Sequence, residues 1–225
     1  MMKLIRYLFS GFMISLVSLI GFCSIAILGK GQKLIQFDQV LISSIQSFES
    51  PTLTLVMKFF TQIGSFPSMF VITLFVSLFL YFVLKHRIEL ILFISVVAGT
   101  PMINQALKQF FHRARPDLHR LIEIGGYSFP SGHAMNAFAV YGIISFLLWR
   151  HIPSRLGRTI LILISSGFIF MIGTSRIYLG VHYPSDIIGG YFASGFWLSS
   201  AIWFFQKYKE KRFERKALSD GSIGE

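Results

Sequence analysis

Charge is scarce in this sequence: Asp, Glu, Lys and Arg make up 14% of its 225 residues, with 10 acidic against 21 basic. That excludes a soluble domain with a conventional charged surface. Cysteine is almost absent. The one present, Cys23, allows neither an intramolecular disulfide nor a cysteine-rich metal site, and is assigned to packing within a span. No internal repeat, low-complexity segment or second soluble domain interrupts the chain. Apolar residues fill the space that charge vacates: 53% are hydrophobic, 25 are Phe and 3 are Trp, and the mean hydropathy is +0.63.

Six stretches hold no Asp, Glu, Lys or Arg: 8–28, 59–84, 90–107, 134–149, 159–175 and 187–206. A membrane-crossing helix needs about 20 mostly apolar residues, and the shorter runs reach that length with their flanks. The expected fold is therefore an all-α integral membrane protein of six transmembrane helices in a single domain, 1–225. The first run is longer than a signal-peptide core and precedes no small-x-small cleavage site, so it reads as a retained span.

Basic residues set the orientation. Lys3, Arg6, Lys85, Arg87, Arg150, Arg155, Arg158 and the basic tail 207–225 all fall on one side of a six-span layout. The positive-inside rule makes that side cytoplasmic and places both termini there. The tail reads as a solvated basic stop that also favours anionic lipid head groups. A net charge of +11 spread over short loops is no nucleic-acid footprint, and no obligate protein partner is inferred. Segment 29–65 is expected to hold short interfacial helices on the outer side. In one, Asp38 caps a stripe of Leu41, Ile45 and Phe48; another starts at Ser50-Pro51.

Against this bias, the outer side crowds Lys108, Arg113, Arg115, Arg120 and Arg176 into two loops. An anionic ligand would account for them. In "KQFFHRARP" (108–116), Lys108 and Arg115 share a face if the helix is continuous. Taken alone, the pair is better read as snorkelling to the interface. In "GGYSFPSGHAMN" (125–136), a helix starting at Ser131 or Gly132 points free N–H groups outward, where Gly132 admits an oxyanion and His133 stands beside it. Read by itself, Ser131 is simply an N-cap. In "SRIYLGVHYPSD" (175–186), Pro184 starts a new helix, so that Asp186 lies in its first turn and reaches back to the His182 ring. By itself that pair also suits a capping contact. All three clusters fall on one membrane face. Their content matches phosphoryl transfer, with cations and amides for phosphorus, a nucleophile with its orienting acid, and a proton donor.

At this point the residues resemble a known family. Lys108-x6-Arg115-Pro116, Pro130-Ser131-Gly132-His133 and Ser175-Arg176-x5-His182-x3-Asp186 look like the three-part signature of the type-2 phosphatidic-acid phosphatase superfamily. The resemblance covers 108–186 by motif and nearly the whole chain by span layout. It implies a cofactor-free, metal-free hydrolase. Lys108, Arg115, Ser131, Gly132 and Arg176 would hold the phosphate; His182, oriented by Asp186, would form a phosphohistidine; and His133 would carry the proton. The outer loops offer no paired-carboxylate or His-rich metal set, and Asp117 and Glu123 stand apart.

The implied substrate is a lipid phosphate in the bilayer, handled at the extracellular face of a cell membrane. Small bacterial members of the family resemble phosphatidylglycerophosphate phosphatases of the B type or undecaprenyl-diphosphate phosphatases, and the first role ranks ahead. A phosphotransferase, a lipid transporter and a vanadate-using peroxidase are the more distant readings. Coupling residues at mid-membrane depth, which transport would need, are almost absent.

Overall fold

The computed structural model describes residues 2–29, 31–117 and 119–221. The side chains of Lys3, Arg6 and Lys216, and residues 222–225 of the tail, lie outside that description. Among the described residues every regular element is helical: α1 (Met2–Leu28), α2 (Gln32–Gln46), α3 (Pro51–Ile63), α4 (Phe66–Leu78) with a π-helical turn (Phe79–Val83), α5 (Arg87–Phe111), α6 (Gly132–Trp149), α7 (Arg155–Tyr178) and α8 (Pro184–Gly221). Six of them are long and apolar enough to span a bilayer: α1, α4 with its π-helical turn, and α5 to α8. The chain is thus a multi-pass membrane protein, as the hydropathy implied.

Helix α6 is the centre of the bundle, packed against α5, α7 and α8, while α1 lies along α8. In lipid the helices gain little from hydrophobicity alone, so small residues that allow close approach decide where they meet. A Cβ at Gly99 would stand 2.5 Å from the Trp197 ring, and one at Gly142 would stand 2.6 Å from Leu198. These contacts draw α5 and α6 onto α8, and the Trp197 indole N–H donates to the Val96 carbonyl at 3.1 Å. Phe93, Val96, Ala139 and Ile143 form the core between them. Outward faces are apolar, as lipid requires: Phe75, Phe82 and Phe170 are exposed.

Several expectations need correction. Helix α2 begins before Asp38, which therefore caps nothing in its own helix and is a buried mid-helix residue, 1% exposed. Phe48 lies beyond the end of α2 and is exposed. Gly64 and Ser65 break α3 from α4, so the second span starts at Phe66. Cys23 is exposed on α1 rather than packed. The tail, expected as a solvated basic stop, continues α8 to Gly221, and its basic residues Lys207, Lys209, Lys211, Arg212 and Arg215 are exposed. Lys209 reaches Glu89 at 3.0 Å, which Arg150 also holds at 2.9 Å. These charges close the end of the bundle opposite the three motifs.

Candidate active site

The first motif straddles a helix end. Helix α5 stops at Phe111 because His112 takes a left-handed conformation, φ 48°, and closes the last turn onto the Lys108 carbonyl at 3.1 Å. Lys108 is therefore helical and Arg115 is not, so no shared helix face joins them. The returning loop does so instead. Arg115 Nε donates to the carbonyls of Gly125 and Gly126 at 3.2 and 3.0 Å. Lys108 Nζ donates to the Tyr127 carbonyl at 2.8 Å.

The second motif opens α6 as its sequence implies. Ser131 is the N-cap and fully buried; its Oγ accepts from the Ala134 N–H at 3.5 Å, and its own N–H donates to the Asp186 carbonyl at 3.1 Å. Gly132 is tightly enclosed, since a Cβ there would lie 2.9 Å from Asn104 Oδ1. Asn104 donates to the Pro130 carbonyl at 3.0 Å, so the polar patch near Pro101 holds the turn that precedes α6. His133 sits in the first turn of α6, and the cations that act on it are those of Arg176, Lys108 and Arg115.

The third motif joins α7 to α8. Gly180 has φ +73°, and a Cβ there would collide with the His119 carbonyl, so only glycine allows this crossing. His182 follows, 2% exposed, and α8 starts at Pro184. His182 Nδ1–H donates to Asp186 Oδ2 at 3.2 Å, and the Tyr183 N–H donates to the same oxygen at 2.9 Å. Arg115 Nη1 donates to His182 Nε2 at 3.0 Å and to the Val181 carbonyl at 2.8 Å. These partners assign the tautomer: Nδ1 carries the hydrogen and Nε2 the lone pair.

The electrostatics agree with that assignment. Burial pushes His182 well below the ordinary histidine range, and the cations of Arg176, Arg115 and Lys108 push it further. Arg176 is 2% exposed and forms no salt bridge among the described residues. Its Nη1 donates to Thr61 Oγ1, while its buried Nε has no partner. A buried cation with an unsatisfied N–H, beside two further cations, is an arrangement that a bound anion would satisfy.

Two contributors escape a reading of the sequence. Thr61 lies where an interfacial helix or the start of the second span is expected, with no role at the site, yet it holds Arg176 from α3. Arg113 falls among the basic loop residues, yet its Nη1 donates to Asp186 Oδ1 at 2.8 Å. Asp117, expected to stand apart from any metal-binding carboxylate set, pairs with the Arg120 cation at 3.2 Å. Beside the site a cleft of about 700 Å³ runs between α2 and the loop after α5, lined by Ile35, Ile42, Arg113, Pro116 and Tyr183 among others.

Comparison with known proteins fits this geometry. The model of the PAP2 superfamily matches residues 88–210, which contain all three motifs. Phosphatidylglycerophosphatase B of Bacillus subtilis (strain 168) is 33% identical over 182 residues, covering 80% of this chain and 87% of its own. The crystal structure of a transmembrane PAP2 type phosphatidylglycerolphosphate phosphatase from Bacillus subtilis superposes with a TM-score of 0.78 at 26% identity, covering 88% of this chain and 96% of that one. The Escherichia coli (strain K12) protein YbjG, named for undecaprenyl-diphosphatase activity, is 31% identical over 115 residues, 51% of this chain and 48% of its own. With six spans, three motifs that converge through the Arg115–His182, His182–Asp186 and Ser131–Asp186 contacts, and these matches, the chain belongs to the PAP2 superfamily.

Proposed function

We propose that this PAP2 membrane lipid phosphatase hydrolyses phosphatidylglycerophosphate to phosphatidylglycerol and inorganic phosphate, through a phosphohistidine and without a metal. The observation that carries the reading is the His182–Asp186 pair, with Nδ1–H on the carboxylate and the Nε2 lone pair turned toward Arg115. The phosphate is held by Lys108, Arg115, Arg176, the Ser131 hydroxyl and the amides near Gly132 and His133. As it binds, Arg115 transfers a donor from Nε2 to a phosphate oxygen and uncovers the nucleophile. Nε2 then forms a bond to phosphorus as the bond to the lipid oxygen breaks in line. His133 gives its proton to the departing oxygen. In the second half it takes a proton from water, whose oxygen displaces Nε2 and releases phosphate.

The topology belongs to the same proposal. Both termini are cytoplasmic and the site lies at the extracellular face, within one domain spanning 1–225. Segment 29–65 shapes lipid access, 108–186 carries the chemistry, and 207–225 is the basic cytoplasmic tail. The apolar residues lining the cleft beside α2 suit acyl chains. Substrate choice rests on the likeness to the Bacillus subtilis phosphatase over most of both chains. The likeness to YbjG over half of each supports a second reading, undecaprenyl diphosphate.

The test is phosphate release by purified protein in detergent with excess chelator, offered each lipid in turn. The expected result is chelator-resistant release without an added acceptor, higher kcat/KM for phosphatidylglycerophosphate, and none in His182→Ala. A preference for undecaprenyl diphosphate would reverse the substrate ranking. Loss of the lipid phosphate only when an acceptor alcohol is added, with the phosphoryl group recovered on the alcohol and no free phosphate, would make the enzyme a phosphotransferase.

A further inference from the structure

Asp38 is the one charged residue that α2 buries, and it sits on the helix face with Leu34, Ile42 and Ile45. It caps a helix after all, but α8 rather than its own. Asp38 Oδ1 accepts from the Ser185 N–H at 2.8 Å, and Oδ2 accepts from Ser185 Oγ at 2.6 Å. Oδ2 also accepts from Arg113 Nη2 at 2.9 Å. The other arm of the fork, Arg113 Nη1, donates to Ser185 Oγ at 2.7 Å and to Asp186 Oδ1 at 2.8 Å. The guanidinium lies over the Tyr183 ring, 4.3 Å from its centre.

This arrangement is a carboxylate–guanidinium–carboxylate sandwich with Asp186 as its inner member. Both Asp186 oxygens are thereby fixed, Oδ1 by Arg113 and Oδ2 by the Tyr183 N–H and His182 Nδ1. Charge balance matters as much as geometry. Arg113 alone would offset the Asp186 charge; with Asp38 on its far side, one negative charge remains to face the imidazole. The rigid fork transmits position as a lysine could not. Asp38 lies outside residues 88–210, where the family model matches.

We propose that Asp38 is a positioning residue for the reaction: from α2, through Arg113 and Ser185, it fixes the carboxylate that orients the His182 ring. Segment 29–65 is then part of the catalytic apparatus as well as a surface for lipid. The proposal rests on the reading of His182 as the nucleophile, and the controls separate the two.

The experiment compares wild type, Asp38→Asn, Arg113→Lys and His182→Ala for kcat, KM and inhibition by orthovanadate, on phosphatidylglycerophosphate in detergent. Asp38→Asn keeps an acceptor for the Ser185 N–H and loses the charge. Asp38 contacts none of Lys108, Arg115 or Arg176, so KM and the vanadate inhibition constant should stay within about twofold of wild type. A displaced imidazole should lower kcat by about 100-fold. Arg113→Lys keeps the charge and loses the fork, and should show the same split; it decides the matter if Asp38→Asn does not fold. Wild-type kcat in either folded variant, or a change confined to KM and vanadate inhibition, overturns the proposal and leaves the phosphohistidine reading standing. Turnover in His182→Ala overturns both.

Discussion

Arg176→Met should make the protein more stable and nearly inactive. The Arg176 side chain is buried with no carboxylate within ion-pair distance among the described residues, and the charges around it include those of Arg115 and Lys108. Replacing buried charges by apolar residues of similar volume is often neutral or stabilising by about 1–4 kcal/mol. The lost bond to Thr61 takes back about 1 kcal/mol. At roughly 2–4 °C per kcal/mol for a chain of this size, Tm in detergent should rise by several degrees. Catalysis moves the other way. Charge-assisted hydrogen bonds contribute about 1.5–3 kcal/mol each, and Arg176 has at least two donors to offer a phosphate. Losing about 3–6 kcal/mol of transition-state stabilisation lowers kcat/KM by roughly 10² to 10⁴. Thermal unfolding and phosphate release on one preparation read both effects, and added orthovanadate should stabilise wild type more than the variant. A variant less stable than wild type, or one with kcat/KM within about tenfold of it, would refute the reasoning.

His182 gives a pH prediction. With its proton affinity held below the ordinary range, the free enzyme keeps a neutral nucleophile under mild acid, so the acid limb of kcat/KM assigned to His182 should fall below about 6.5, the ordinary histidine value. The same shift acts on stability. Below that value the unfolded chain binds a proton that the folded site does not, so this residue's contribution is present above it. That contribution is lost as pH falls toward the depressed folded value, and unfolding at a series of pH values reads it. Glu89→Ala, at the far end of the bundle, should lower Tm because it breaks the joint held by Arg150 and Lys209. A loss of about 1–3 kcal/mol is expected, with KM for the lipid unchanged.

The spans are legible because hydropathy is a sum over about 20 residues and tolerates local error. The starts of α6 and α8 are legible because caps and prolines act within a few residues. Long-range contacts leave no such local trace. Asp38 meets Ser185 across the bundle, and a lone aspartate before an apolar stripe reads naturally as a cap. Its position on that stripe, in register with Ile42 and Ile45, is the available signal: a charge on a buried face needs a partner. Arg113 is visible as a cation but not as a bridge, because nothing in 108–115 marks the end of α5. Only the left-handed turn at His112 ends the helix there, and no glycine signals it.

The most direct test of the central claim is to trap the intermediate. His133→Ala should allow attack on a lipid with a good leaving group and slow the water step, so that rapid quenching followed by peptide mass spectrometry finds phosphate on His182. The account predicts an acid-labile phosphoryl group at that residue, absent from His182→Ala and formed in the presence of chelator. Label on another side chain, or substrate turnover in His182→Ala with phosphate released directly to water, would contradict it.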